Sequence, residues 1–201
     1  MSTRNLTLQR SLPWILLIGG IIGYICAFII MFDKVKLANN PHYVPSCNLN
    51  PIISCGSVMK TKQASAFGFP NPFIGLGAYP VLAVVGGAML AGAKFKRWFW
   101  VAMNIGIMLG LTFAYWLLYE SVYSIHALCP YCLGIDVVTI TMVWYVALYS
   151  IDQEHIRLPA GRAQKAYSWI RRHHVDILIA WFVILIALIL KHFWYYYSKH
   201  L

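Results

Sequence analysis

The chain reads as an all-α, polytopic membrane protein: a four-helix transmembrane bundle core followed by a fifth transmembrane helix. Three observations predict this class. Hydrophobic residues make up 60% of the 201 and charged residues only 11%, against roughly 45–50% and 25% in soluble domains. The apolar residues gather into five stretches of about twenty, the length of helix that crosses a hydrocarbon core. All the basic residues but Lys191 fall between those stretches rather than within them.

The stretches are residues 12–32, 73–93, 98–119, 132–151 and 175–194. The first carries Gly19 and Gly23, and the third Gly106 and Gly110; small residues four apart let helix backbones approach closely in lipid, so both pairs are expected to be packing seams. No small-x-small cleavage pattern follows the first stretch, which reads as a retained span. Residues 33–72 form a long loop punctuated by Asn39-Asn40-Pro41, Pro45, Asn50-Pro51 and Gly56, all turn or breaker signals. Within it, residues 52–67 are apolar enough for a short helix lying at the membrane surface. Pro70 and Pro72 flank Asn71 where the chain turns into the second span, a position that suits proline. A short turn, 120–128, joins the third and fourth spans. Residues 152–174 are basic and polar, broken by Pro159-Ala160-Gly161. Phe193-Trp194-Tyr195-Tyr196-Tyr197 ends the fifth span as an interfacial aromatic belt. The expected division is a membrane core over 1–151 with the outer loop 33–72, a cytoplasmic basic segment over 152–174, and the last helix and tail over 175–201. It leaves no room for a fused soluble domain.

The net charge of +10 invites a nucleic-acid partner, but its distribution argues for the lipid bilayer. With the N-terminus inside, alternate crossing puts Arg4, Arg10, Lys94, Lys96, Arg97, Arg157, Arg162, Lys165, Arg171 and Arg172 on the inner side. Lys34, Lys36, Lys60, Lys62, Lys191 and Lys199 fall outside. Ten against six follows the positive-inside bias. The loops 33–72 and 120–128 then share the outer compartment. Each carries or adjoins a cysteine pair, and paired cysteines persist in periplasmic or extracellular settings.

Four of the five cysteines form two close-set pairs, Cys47 with Cys55 and Cys129-Pro130-Tyr131-Cys132. The C-x-x-C closes a ring that opens and closes without refolding the chain. Its first cysteine is favoured as a thiolate by the amides of a helix start. A static clamp and half of a Cys₄ zinc site are the alternatives, although zinc pairs usually have C-x₂₋₄-C spacing and Cys47 and Cys55 are eight apart. As a static clip Cys47–Cys55 would add about 2–3 kcal/mol. As a shuttle it would accept electrons from a soluble dithiol and pass them on by thiolate attack. Cys26, alone in the middle of the first span, is expected to serve packing only.

The arrangement resembles the vitamin K epoxide reductase family over roughly residues 12–150. The resemblance rests on Cys47-x₇-Cys55 after the first span, Thr61 six residues on, Phe69-Pro70-Asn71-Pro72-Phe73 leading into Gly75-Leu76-Gly77-Ala78-Tyr79, and Cys129-Pro130-Tyr131-Cys132 opening the fourth span. It implies a thiol oxidoreductase in which Cys47 meets a thioredoxin-fold partner, Cys55 relays electrons to Cys129, and Cys132 lies nearest a quinone co-substrate (menaquinone or ubiquinone). Asn71 matches the position that hydrogen-bonds a quinone carbonyl, and Thr61 matches a serine or threonine close to the active site. Where the animal branch has a tyrosine four residues after the second active cysteine, this chain has Asp136. Its spacing puts it on the face of Cys132, one turn deeper, and a carboxyl inside a span is costly and usually functional. It is expected to donate to a quinone oxygen or accept a proton there, or else to pair with Asn104 or a backbone carbonyl. Glu120 and His126 are further candidate proton carriers.

A chain of this kind without a fused thioredoxin-like domain implies a separate one, here a periplasmic DsbA-like protein. The implied place is a bacterial inner membrane, with the active cysteines on the periplasmic side. Two other readings stay open: vitamin K quinone or epoxide reduction, and a non-catalytic scaffold held by two static disulfides.

Overall fold

A computed structural model describes residues 3–156, 159 and 161–197, with side chains from residue 8 to residue 194 among them. Arg157 and Lys199 of the charge balance lie outside the described residues, as do the side chains of Arg4 and Tyr195 to Tyr197. The elements are α1 (Thr3–Asn39), α2 (Cys55–Met59), a 3₁₀ turn (Lys62–Ser65), α3 (Pro72–Leu90), α4 (Arg97–Tyr119) continued by a π-helical turn (Glu120–Ile125), α5 (Pro130–Asp152), α6 (Arg162–Arg172) and α7 (His174–Tyr197). Among the described residues five helices are long and apolar enough to cross a membrane: Leu8–Asn39, Pro72–Leu90, Arg97–Ile125, Pro130–Asp152 and His174–Trp194. The protein is an all-α, multi-pass membrane protein.

Several boundaries differ from the sequence reading. The first helix runs past residue 32 to Asn39, because no breaker precedes Asn40-Pro41 and Asp33 is taken into its buried face. Residues 52–67 do not make one helix; Lys60 and Thr61 separate α2 from the 3₁₀ turn. The turn expected at 120–128 begins as the π-helical extension of α4, which His126 ends with φ 57°. The basic segment contains α6, whose Ala163, Ala166, Tyr167 and Ile170 follow the i, i+3, i+4, i+7 pattern of one helix face.

The chain divides into two compact units, Met1–His155 and Ile156–Leu201. In the first, α1 packs along both α3 and α5, and α4 packs on α5; α3 and α4 make little contact with each other. The α1–α3 seam depends on glycine. A Cβ on Gly20 would stand 2.6 Å from Ala83 N, and one on Gly86 would stand 2.6 Å from Leu17 N and Pro13 O. Gly23 fits against the Tyr79 ring and Gly19 against Met142, as a seam requires. Gly106 and Gly110 are not a seam: nothing lies within 4 Å of where their Cβ atoms would be, because α4 there faces the gap left by α3. Two buried polar pairs bind the bundle across its apolar contacts. Tyr79 Oη and Thr139 Oγ1 lie 2.7 Å apart between α3 and α5, and Asn104 Nδ2 donates to Ser150 Oγ at 2.7 Å between α4 and α5. In the second unit, α6 and α7 pack together, and Asp176 sits 3.1 Å from His173 Nδ1 in the first turn of α7.

Candidate active site

The outer loop is a series of side-chain-capped turns that deliver one cysteine to another. Asn50 Oδ1 accepts from the amides of Ile52 (2.9 Å) and Ile53 (2.6 Å), closing an Asx turn. The next residues pair in parallel with the strand-like segment before α5. Leu128 N donates to Ile52 O at 2.7 Å and Ser54 N to Leu128 O at 3.0 Å. Ser54 then caps α2 by accepting from Ser57 N, 3.2 Å away, and Gly56 N is held by Asn48 Oδ1 at 2.9 Å. Cys55 therefore opens α2 two residues beyond the bridged Ile53, and Cys129, next to the bridged Leu128, stands at the start of α5.

Cys47 and Cys55 form a disulfide with Cα atoms 5.7 Å apart. Cys26, Cys129 and Cys132 are free thiols. The sulfur of Cys129 lies 3.3 Å from that of Cys55. Cys47, Cys55 and Cys129 are 6%, 0% and 2% exposed, packed with Ile30, Leu37 and Met59. With two of the four sulfurs joined to each other, the cluster does not have the form of a zinc site.

Cys129 is the N-cap of α5 and Pro130 its first residue, so the amides of the first turn converge on its sulfur; Cys132 N lies 3.4 Å away. The Cys132 thiol beside it, then those amides, hold Cys129 below the ordinary thiol range, against burial and the repulsion of Asp33. A thiol so stabilised is a ready nucleophile. Cys26 packs against Gly134, whose Cβ would stand 3.3 Å from its sulfur, the packing position the sequence suggested.

The gap between α3 and α4 is a cavity of about 610 Å³. Its walls are almost wholly apolar, including Gly106, Gly110, Phe113 and Leu117 of α4 and Ala78, Leu82 and Val85 of α3. Thr61, Asn71, Cys129, Cys132 and Asp136 all line it; Cys47 and Cys55 do not. Residues 14–147 match the model of the vitamin K epoxide reductase family. The chain belongs to that family. The match covers all four paired cysteines and the lining residues just named, and it makes the protein an oxidoreductase of the kind that links thiols to a quinone or reduces vitamin K. Comparison with curated proteins finds no match.

The polar groups of this vitamin K epoxide reductase family member are unequal. Asn71 Oδ1 accepts from Ala66 N (3.0 Å) and Nδ2 donates to Gln63 O (2.7 Å), which leaves the second amide proton without a partner among the described residues. Thr61 spends its hydroxyl proton on Val58 O at 2.8 Å, so it shapes the wall and does not donate into the cavity. Asp136 stands on the wall beside Cys132. The pairing with Asn104 considered for it is not formed, since Asn104 donates to Trp100 O and Ser150 Oγ, three to four turns away along the bundle. Glu120 accepts from Gln63 Nε2 at 3.1 Å and His126 is exposed outside the cavity.

Lys34 was passed over in the sequence reading as a loop charge. Its ammonium donates to Ala64 O at 2.7 Å and Ser65 Oγ at 2.8 Å. With Asn71 and the Gln63–Glu120 contact, it fastens the 3₁₀ turn over the cavity mouth. Its spacing from the loop carried no signal, because 30 residues of chain separate Lys34 from Ala64. The bridge at Ile53 and Leu128 was equally hidden, since one bridge is too short for a periodic pattern.

Proposed function

We propose that this family member is a quinone-dependent thiol oxidase of a bacterial inner membrane, which re-oxidises a periplasmic thioredoxin-fold, DsbA-like partner and so drives disulfide formation. The observation that carries this reading is the 3.3 Å between the sulfurs of Cys55 and Cys129, the first in a disulfide and the second a free thiol. Exchange across that contact conserves the disulfide: a Cys129 thiolate attacks Cys55, a Cys55–Cys129 bond forms, and Cys47 leaves. In turnover the pair of electrons runs the other way. A thiolate of the reduced partner attacks Cys47, and the partner's second thiolate releases the reduced loop pair. Cys55 then attacks Cys129 of a Cys129–Cys132 disulfide, and Cys47 resolves the linkage, leaving the inner pair reduced.

The cavity fits a quinone: its apolar walls suit the ring and tail, the free amide proton of Asn71 suits a carbonyl oxygen, and Asp136 beside Cys132 can hold a proton. When bound, menaquinone or ubiquinone supplies the acceptor of two electrons and two protons. A strongly oxidising partner near about −120 mV requires such a sink at higher potential. Cys132 faces the cavity and Cys129 faces both the cavity and the loop, so the inner pair joins the two half-reactions.

The test uses the full chain in proteoliposomes with quinone and a reduced DsbA-like protein. We expect partner oxidation matched mole for mole by quinone reduction, abolished in Cys129→Ala and Cys132→Ala. Cys47→Ala should abolish oxidation of the protein partner yet retain quinone reduction by a small apolar dithiol. An enzyme that reduced vitamin K epoxide with a dithiol but never oxidised the partner would reverse the assignment.

A further inference from the structure

Asp33 is the one fully buried acid among the described residues, and nothing in the electron path so far uses it. Ile30, Asp33 and Leu37 lie on one face of α1 at spacings of three and four. Ile30 and Leu37 are core members of the cluster that contains Cys47, Cys55 and Cys129, and Asp33 between them is 4% exposed. Its Oδ1 accepts from Tyr43 Oη at 2.8 Å, and Tyr43 packs on the same cluster. Its Oδ2 is buried with no hydrogen-bond partner among the described residues. A carboxylate oxygen left unpaired in an apolar cluster is costly, and a packing role would be served better by an apolar side chain.

We propose that Asp33 carries the proton that disulfide exchange must move between buried sulfurs. The inference rests on the relay reading above. Exchange converts Cys129–SH and the Cys47–Cys55 disulfide into a Cys55–Cys129 disulfide and Cys47–SH. One proton leaves Cys129, one reaches Cys47, and no electron leaves the set. With all three sulfurs buried, bulk water is a poor carrier. The free Oδ2 takes the proton from the attacking thiol and returns it to the departing one, and the reverse exchange uses the same group. Transfer to Asp33 also neutralises a carboxylate that repels the Cys129 thiolate as it forms.

The surrounding charges are few. Cys26 on α1 and Cys132 and Asp136 on α5 act on Cys129 or are acted on by it. From the loop, Tyr43 faces Asp33, and the Lys36 ammonium lies 5.3 Å from the Tyr43 ring. Lys34 and Glu120 are bound to the 3₁₀ turn. α2 presents no titratable group but Cys55.

The experiment follows formation of the Cys55–Cys129 bond in the full-length Cys132→Ser protein, by acid quench and non-reducing peptide mapping across pH. With Asp33 intact the linked species should form on a limb that rises with pH. Adding Asp33→Asn should slow it at least tenfold at neutral pH and flatten that limb. Adding Tyr43→Phe instead keeps the carboxylate but removes its donor. The limb should then shift along the pH axis at an unchanged maximum. Linkage as fast in Asp33→Asn as in its parent overturns the proposal and leaves the relay standing. Absence of the linked species even with Asp33 intact overturns both. If Asp33→Asn does not fold, Tyr43→Phe decides: a limb that does not move overturns the proposal.

Discussion

A thiol that has to ionise while buried depends on whatever donates to it, and for Cys129 the chief donor is the Cys132 thiol. Cys132→Ala removes that donor and destabilises the Cys129 thiolate, so its pKa rises. We expect the pH profile of Cys129 alkylation in the reduced protein to move to higher pH in that variant. Cys132→Ser, which retains a donor, should move it less. A profile unchanged in Cys132→Ala would assign the stabilisation to the helix-start amides alone. At this scale the sequence was informative where chemistry is local: the spacing of Cys129 and Cys132, and the proline between them, placed a helix start at the sulfur. It was silent where partners are distant. Asp33 read as the first residue of a loop because its burial depends on Tyr43, ten residues on, and on cysteines contributed by two other segments. The suggested Asp136–Asn104 pair failed for a related reason: two polar residues in neighbouring spans need the same depth, and depth follows from helix register.

The single bridge between Ile53 and Leu128 decides whether two elements start side by side. Ser54→Pro deletes the amide that reaches Leu128 O and the hydroxyl that caps α2. A cap and a hydrogen bond are each worth about 1 kcal/mol. We expect the bundle to survive and the Cys55–Cys129 linkage in the Cys132→Ser background to fall several-fold; an unchanged yield would show that packing alone sets the register. Gly110→Leu probes the other wall. Its side chain enters the cavity without meeting another helix, and replacing a mid-helix glycine gains roughly 0.5–1 kcal/mol. Thermal stability should hold while the KM for quinone rises about tenfold, equivalent to ~1.4 kcal/mol; a lower melting temperature with unaltered KM would argue that α4 packs there after all. The spans themselves were legible because length and apolarity suffice to define them. Which of their glycines are seams was not, since Gly19-x₃-Gly23 and Gly106-x₃-Gly110 are identical patterns, one meeting a neighbouring helix and the other a void.

At the scale of the molecule, the two loops that carry or adjoin cysteines meet at one end of the first unit, the arrangement that alternate crossing anticipates. Which compartment that end faces is open to direct measurement. In Leu49→Cys, a loop position 71% exposed, a membrane-impermeant maleimide should label the new thiol in intact cells. Labelling only after the membrane is broken would invert the topology and remove the periplasmic partner. The four-helix order could be read from the chain, and with it the meeting of the loops. The cavity could not, because it arises from a contact that α3 and α4 do not make. The burial of the Cys47–Cys55 disulfide has one further consequence. An oxidant held at the water's edge would be drained by any passing thiol, yet here both sulfurs are shielded by the loop that carries them. On the relay proposed above the protein would be an insulated conductor: a thiol arriving from water would meet the loop before either sulfur of this disulfide, and a protein partner would have to displace part of that loop to make the connection. Selectivity would then be a property of the covering, and no sulfur need be intrinsically choosy.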